Sequence, residues 1–102
     1  MSTDHRSNAR AQVDALMTLL RTPPRPELQP VLDECESLSR AIAAFHIEGI
    51  RFRMFNVDRL LTRGSLPVPD GAVPIFAEIR RELEAAGFHT RSHSAPPAAS
   101  SS

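Results

Sequence analysis

IRFRMFNV, residues 50–57, is the stretch whose reading decides the fold. At a period of two, Ile50, Phe52 and Met54 share one face, and Arg51, Arg53, Phe55 and Val57 share the other. Such alternation marks a half-exposed strand. At a period of 3.6, Ile50, Met54, Val57 and Leu61 line up instead as the apolar stripe of a helix. The strand is the preferred reading, with the helix as its alternative.

Upstream, HIEG at 46–49 is expected to end a helix, Gly49 supplying the left-handed conformation common at helix C-termini. That helix should run from Pro30 to Phe45 or His46, because proline suits the first helical position. Along it Val31, Cys35, Leu38, Ile42 and Phe45 recur at spacings of 4, 3, 4 and 3, and Leu28 extends the seam backward. Such a seam suits packing on the first helix or on a partner chain. The first helix is expected over 9–21, ARAQVDALMTLLR, with Val13, Leu16, Met17 and Leu20 on one side. Between the two lies TPPRPELQP, residues 22–30, whose four prolines exclude a helix interior.

Downstream, VDRLLTRG at 57–64 reads as a short helical turn and SLPVPDGAVP at 65–74 as a loop. A last helix should start at Pro74 and stop before Gly87, with Ile75, Phe76, Ile79, Leu83 and Ala86 as its apolar face. FHTRS, residues 88–92, would form a second strand beside 50–57. The expected fold is therefore α+β: an N-terminal helical hairpin, a short two-stranded sheet and a C-terminal helix. The alternative is all-α. Residues 1–8 read as a flexible lead, 9–93 as one compact domain, and 94–102 as a disordered Ala/Pro/Ser tail.

Composition narrows the function classes. The 102 residues carry 12 basic and 12 acidic side chains, and every basic one is arginine. A neutral balance argues against a dedicated nucleic-acid binder, which needs local positive potential. No apolar run approaches the roughly 20 residues of a membrane span, and no secretory signal is visible, so the expected location is the cytoplasm. Cys35, the single cysteine, permits no intrachain disulfide. It lies on the apolar seam between Glu34 and Glu36, which oppose thiolate formation.

No glycine-rich phosphate loop, HExxH, CxxC or nucleophile elbow is present. On a strand, His89 and His93 would stand roughly 13 Å apart, too far to share an ion, so neither metal nor other cofactor is expected. Arg51 and Arg53 would point the same way on a strand and could clamp a phosphate or carboxylate, with Arg59 and Arg63 adding to the patch. Arg51, Arg53, Arg59 and Arg63 are thus the candidate binding residues. Their plainer role is pairing with the acidic segment that holds Asp33, Glu34 and Glu36.

The functional expectation is an accessory, adaptor or regulatory protein acting through protein–protein contacts. It would act as a homodimer or with a heterologous partner, its interface drawn from Leu28, Val31, Cys35, Leu38, Ile42 and Phe45. The alternative is a sensor of an anionic small molecule, or an enzyme subunit with its site at an oligomer interface. No residue is singled out as catalytic.

Overall fold

The computed structural model describes residues 4–63 and 65–88. Within them the chain is all helix. Four α-helices follow in order, α1 (His5–Leu20), α2 (Gln29–Ala43), α3 (Ile47–Thr62) and α4 (Ala72–Ala85), with a single 3₁₀ turn at Pro26–Leu28 before α2. The two-stranded sheet is overturned: residues 50–57 lie inside α3, and the described residues contain no strand. Of the second expected strand only Phe88 falls within the described residues, and it is buried in the core.

The reason lies in how far each periodicity extends. Ile50, Met54, Val57 and Leu61 are the buried residues of α3, so the 3.6-residue stripe persists over three turns. The competing alternation depends on Phe52 and Phe55, and both rings face solvent, 56% and 37% exposed. A helix also satisfies its interior backbone amides internally, whereas two short strands leave unpaired edges.

Local signals set the other boundaries. Asp4 caps α1 by accepting from the Ser7 amide at 3.1 Å and the Ser7 hydroxyl at 2.8 Å. The helix therefore starts at His5, inside the segment that looked like a flexible lead. It stops at Leu20, and Pro23 and Pro24, having no amide hydrogen, cannot extend it. The prolines of the connection also deliver Leu28, fully buried, to the foot of α2. Gly87 closes α4 as expected: at φ +99° it lets the Phe88 and Gly87 amides reach back to the Leu83 and Glu84 carbonyls.

The α2–α3 connection departs from expectation. Here Phe45, and not Gly49, is left-handed, at φ 55°. The His46 amide returns to the Ala41 carbonyl at 2.9 Å and the Phe45 amide to the Ile42 carbonyl at 3.2 Å, the paired bonds of a Schellman C-terminus. His46 then caps α3, its Nδ1 accepting from the Gly49 amide at 2.8 Å. Gly49 belongs to the first turn of α3, and its missing side chain makes this cap fit: a Cβ there would stand 2.4 Å from His46 Nδ1.

Packing joins α1 to α4 and α2 to α3 most closely, with α1–α2 and α3–α4 contacts completing the ring. The core is one cluster fed by all four helices, including Leu16, Leu20, Leu38, Ile42, Ile50, Met54, Ile79 and Leu83. Polar contacts pin the start of α1 to α4. His5 Nδ1 and Glu82 Oε1 are 2.7 Å apart, and Asn8 donates to the same oxygen at 3.4 Å.

Two outcomes test this packing. Ile50→Ala should cost about 2–5 kcal/mol of unfolding free energy, as buried truncations do. Phe52→Ala should cost less than about 1 kcal/mol, because surface substitutions rarely cost more. Urea titrations of both variants make the comparison, and equal large losses would restore the shared-face strand pattern. The second outcome concerns pH. The hydrogen bond from His5, followed by that from Asn8, holds the Glu82 carboxyl below its ordinary 4.5. A carboxyl depressed in the folded state stabilises it above the unfolded-state value and loses that contribution as pH falls. Melting temperature should thus decline below about pH 4.5, and Glu82→Gln should flatten part of that decline.

Candidate ligand cleft at the corner of α2 and α3

On a helix, residues two apart diverge by about 200°, so Arg51 and Arg53 leave α3 on opposite flanks. Arg53 turns toward α2 and meets Glu34 at 3.0 Å, and Asn56 donates to the same Glu34 oxygen at 3.2 Å. Arg51 stays within its own helix, 3.9 Å from Glu48. The Arg59 guanidinium lies 5.8 Å from the centre of the Phe55 ring. Arg63 is the exposed C-cap residue of α3. Arg53 is therefore tied to the acidic helix, its plainer role in the sequence.

The expected interface seam is covered within a single chain. Leu28, Val31, Cys35, Leu38 and Ile42 are all fully buried in the core. Phe45 departs from the seam because its left-handed backbone swings the ring outward, leaving it 61% exposed. That ring is nonetheless held: the Arg6 guanidinium lies 4.2 Å from its centre and Phe88 stacks at a tilt, 6.1 Å away. The same Arg6 reaches the Ile42 and Ala43 carbonyls at 3.4 and 3.5 Å, compensating the negative end of α2.

Where α2 ends and α3 begins, a cleft of about 570 Å³ opens to solvent. Ala41 of α2, its C-cap Ala44 and Gly49 of α3 are the small residues of its floor. Arg40 and Ser37 stand on the α2 side, His46 at the turn, and Phe52, Arg53 and Glu48 on the α3 side. The Arg53 guanidinium, fixed by Glu34, sits 5.0 Å from the centre of the Phe52 ring. Among the described residues Arg40 makes no ion pair, whereas Arg53 and Glu48 each do. Among the described residues Arg40 is thus the cleft's guanidinium without an ion-pair partner. The partial positive end of the α3 dipole faces the same corner.

This cleft differs from the one between α3 and α4, about 410 Å³, where Asp58 and Glu84 accompany Arg80 and Arg81. Of the four arginines singled out in the sequence, only Arg53 lines the α2–α3 cleft. Arg40, His46 and Phe52 were not read as one site because the corner depends on the reversal at Phe45. The small pair Ala41, at the edge of the core, and Ala44, the C-cap of α2, was the available signal.

Other chemistry is confined by burial. The Cys35 thiol is fully enclosed, and burial, followed by the charge of Glu34, pushes its pKa up to about 12. No three His, Cys, Asp or Glu side chains converge as a metal site among the described residues. His89 and His93 lie outside those residues. No helix among them is long and apolar enough to cross a membrane. No protein-family model, curated protein or solved structure matches this chain.

Cys35 should consequently resist alkylation in the native protein at pH 8 and react only as the fold opens. Timed iodoacetamide labelling followed by intact-mass measurement checks this. Rapid native labelling at a rate insensitive to added urea would contradict the enclosed thiol.

Proposed function

We propose that this protein is a non-catalytic binding module for a small anionic molecule with an apolar or aromatic body, a sensor or carrier and not an accessory scaffold. The ligand lies in the α2–α3 cleft. The observation that carries this reading is Arg40, a guanidinium without an ion-pair partner among the described residues, across a floor of small residues from the exposed Phe52 ring. A guanidinium offers a planar fork that matches a carboxylate or phosphate, and an open ring accepts an apolar body by stacking. The volume lies within the ordinary range of small-molecule sites, roughly 300–1,000 Å³.

The division of labour among the charges supports the same reading. Glu34 holds Arg53 in place, so Arg53 stiffens the wall and backs the Phe52 ring. Arg40, exposed in the last turn of α2, is available to the ligand. Affinity then comes from the apolar body and orientation from the charge. A cytoplasmic setting, with the Cys35 thiol reduced, fits this role.

Titration of the isotopically labelled protein with benzoate, indole-3-acetate and octanoate, followed by amide chemical shifts, tests the proposal. Shifts should concentrate at Ala41, Ala44, Gly49 and Phe52. Arg40→Ala should weaken the best probe by about tenfold to a hundredfold, consistent with roughly 1.5–3 kcal/mol for a hydrogen bond to a charged group. Shifts scattered over the surface, or an affinity untouched by Arg40→Ala, would remove the cleft as the site.

A further inference from the structure

The solvent face of α3 bears a pattern that the core does not explain and that the ligand cleft shares only at Glu48 and Phe52. Glu48, Phe52, Phe55 and Arg59 follow one another at spacings of 4, 3 and 4, opposite the buried stripe of Ile50, Met54, Val57 and Leu61. All four are exposed: the Glu48 side chain by 80%, the two rings by 56% and 37%, and Arg59 likewise. The line therefore runs acid, ring, ring, base along the outermost edge of the helix.

That order is self-complementary about its midpoint. Turned end for end, Glu48 falls opposite Arg59 of another copy, Phe52 opposite Phe55, and each pairing occurs twice. A twofold contact requires this property, because the same patch must serve both sides. In a parallel pairing Glu48 would meet Glu48 and Arg59 would meet Arg59, and like charges face to face are unfavourable. The 4-3-4 spacing is also the seam along which one helix packs on another. We infer that two copies of this protein associate through the outer faces of their α3 helices, antiparallel, with the phenylalanines at the centre and two Glu48–Arg59 pairs at the ends.

The occupant is a second copy and not a foreign helix because the face already carries the complement of its own charge order. Among the described residues Glu48 keeps a 3.9 Å contact with Arg51, and Arg59 its ring contact with Phe55, so neither charge is closely paired there. A contact built on one helix per copy is small, and interfaces below about 1,200 Å² are generally transient. The association is therefore concentration-dependent and sensitive to salt. It does not rest on the ligand reading: Glu48 and Phe52 also border the cleft, but Phe55 and Arg59 do not line it, and Arg40 lies on α2.

Sedimentation velocity over a concentration series from micromolar to millimolar tests the inference, with circular dichroism confirming that each variant folds. The unaltered chain should move from monomer to dimer. Glu48→Arg and Arg59→Glu should each weaken the dimer by about tenfold or more, since each sets like charges opposite one another twice. An equimolar mixture of the two variants should recover it, because every end pair is again of opposite sign. Phe52→Ser combined with Phe55→Ser should abolish association with helicity unchanged. Monomer throughout the series, reversals that leave the dimer intact, or no recovery on mixing would overturn the inference. The Arg40→Ala protein should dimerise normally, so a failed ligand titration and a failed dimer remain separate results.

Discussion

The reversal of the chain at Phe45 is the constraint on which the rest of the molecule depends. A bulky residue at positive φ is sterically costly, and glycine usually takes this place at a helix end. Here the conformation is held from outside. Arg6 covers the ring and reaches the last carbonyls of α2, and Phe88 closes on the ring from beyond the end of α4. Three distant parts of the chain thus converge on one turn. The turn is short enough that His46 passes directly from the end of α2 to capping α3, and Gly49 gives the cap its room. The α2–α3 pairing, the ion pair from Arg53 to Glu34 and the corner cleft all follow from where that turn points α3.

Much of the fold was legible because apolar periodicity persisted. The stripe of α2 was visible as Val31, Cys35, Leu38 and Ile42, and those residues are buried. Pro30, Gly87 and the proline-rich connection marked boundaries to within a few residues. The decisive segment misled because its aromatic residues did not serve the core. Phe52 and Phe55 lent residues 50–57 a period of two, although the extension to Leu61 favoured the helix. Large apolar side chains held at the surface break the inside–outside pattern on which periodicity depends. Phe52 borders the cleft, and both rings lie on the outer face of α3.

The candidate site was less legible. Arg51 and Arg53 pointed the same way only if the segment was extended; wound into a helix, those two diverge, and Arg53 turns to Glu34. Arg40, by contrast, looked like one ordinary surface charge on a mostly acidic helix. It becomes notable only when the fold brings Phe52 to the other side of a small-residue floor. Proximity across a turn cannot be read from spacing along either helix, and the turn itself was concealed by a phenylalanine in a glycine's conformation.

The closest partnership in the molecule joins α1 to α4, the first helix to the last. During synthesis, α2 and α3 can meet across a three-residue turn as soon as both have emerged. The apolar face of α1, with Val13, Leu16 and Leu20, gains its principal cover only after residue 85 has left the ribosome. The nascent chain thus carries an open greasy flank until α4 emerges. Its polar clasp, His5 and Asn8 on Glu82, fastens last. A message cut short before α4 would yield a three-helix fragment with that flank still bare, a substrate for chaperones and proteases and not a smaller working protein.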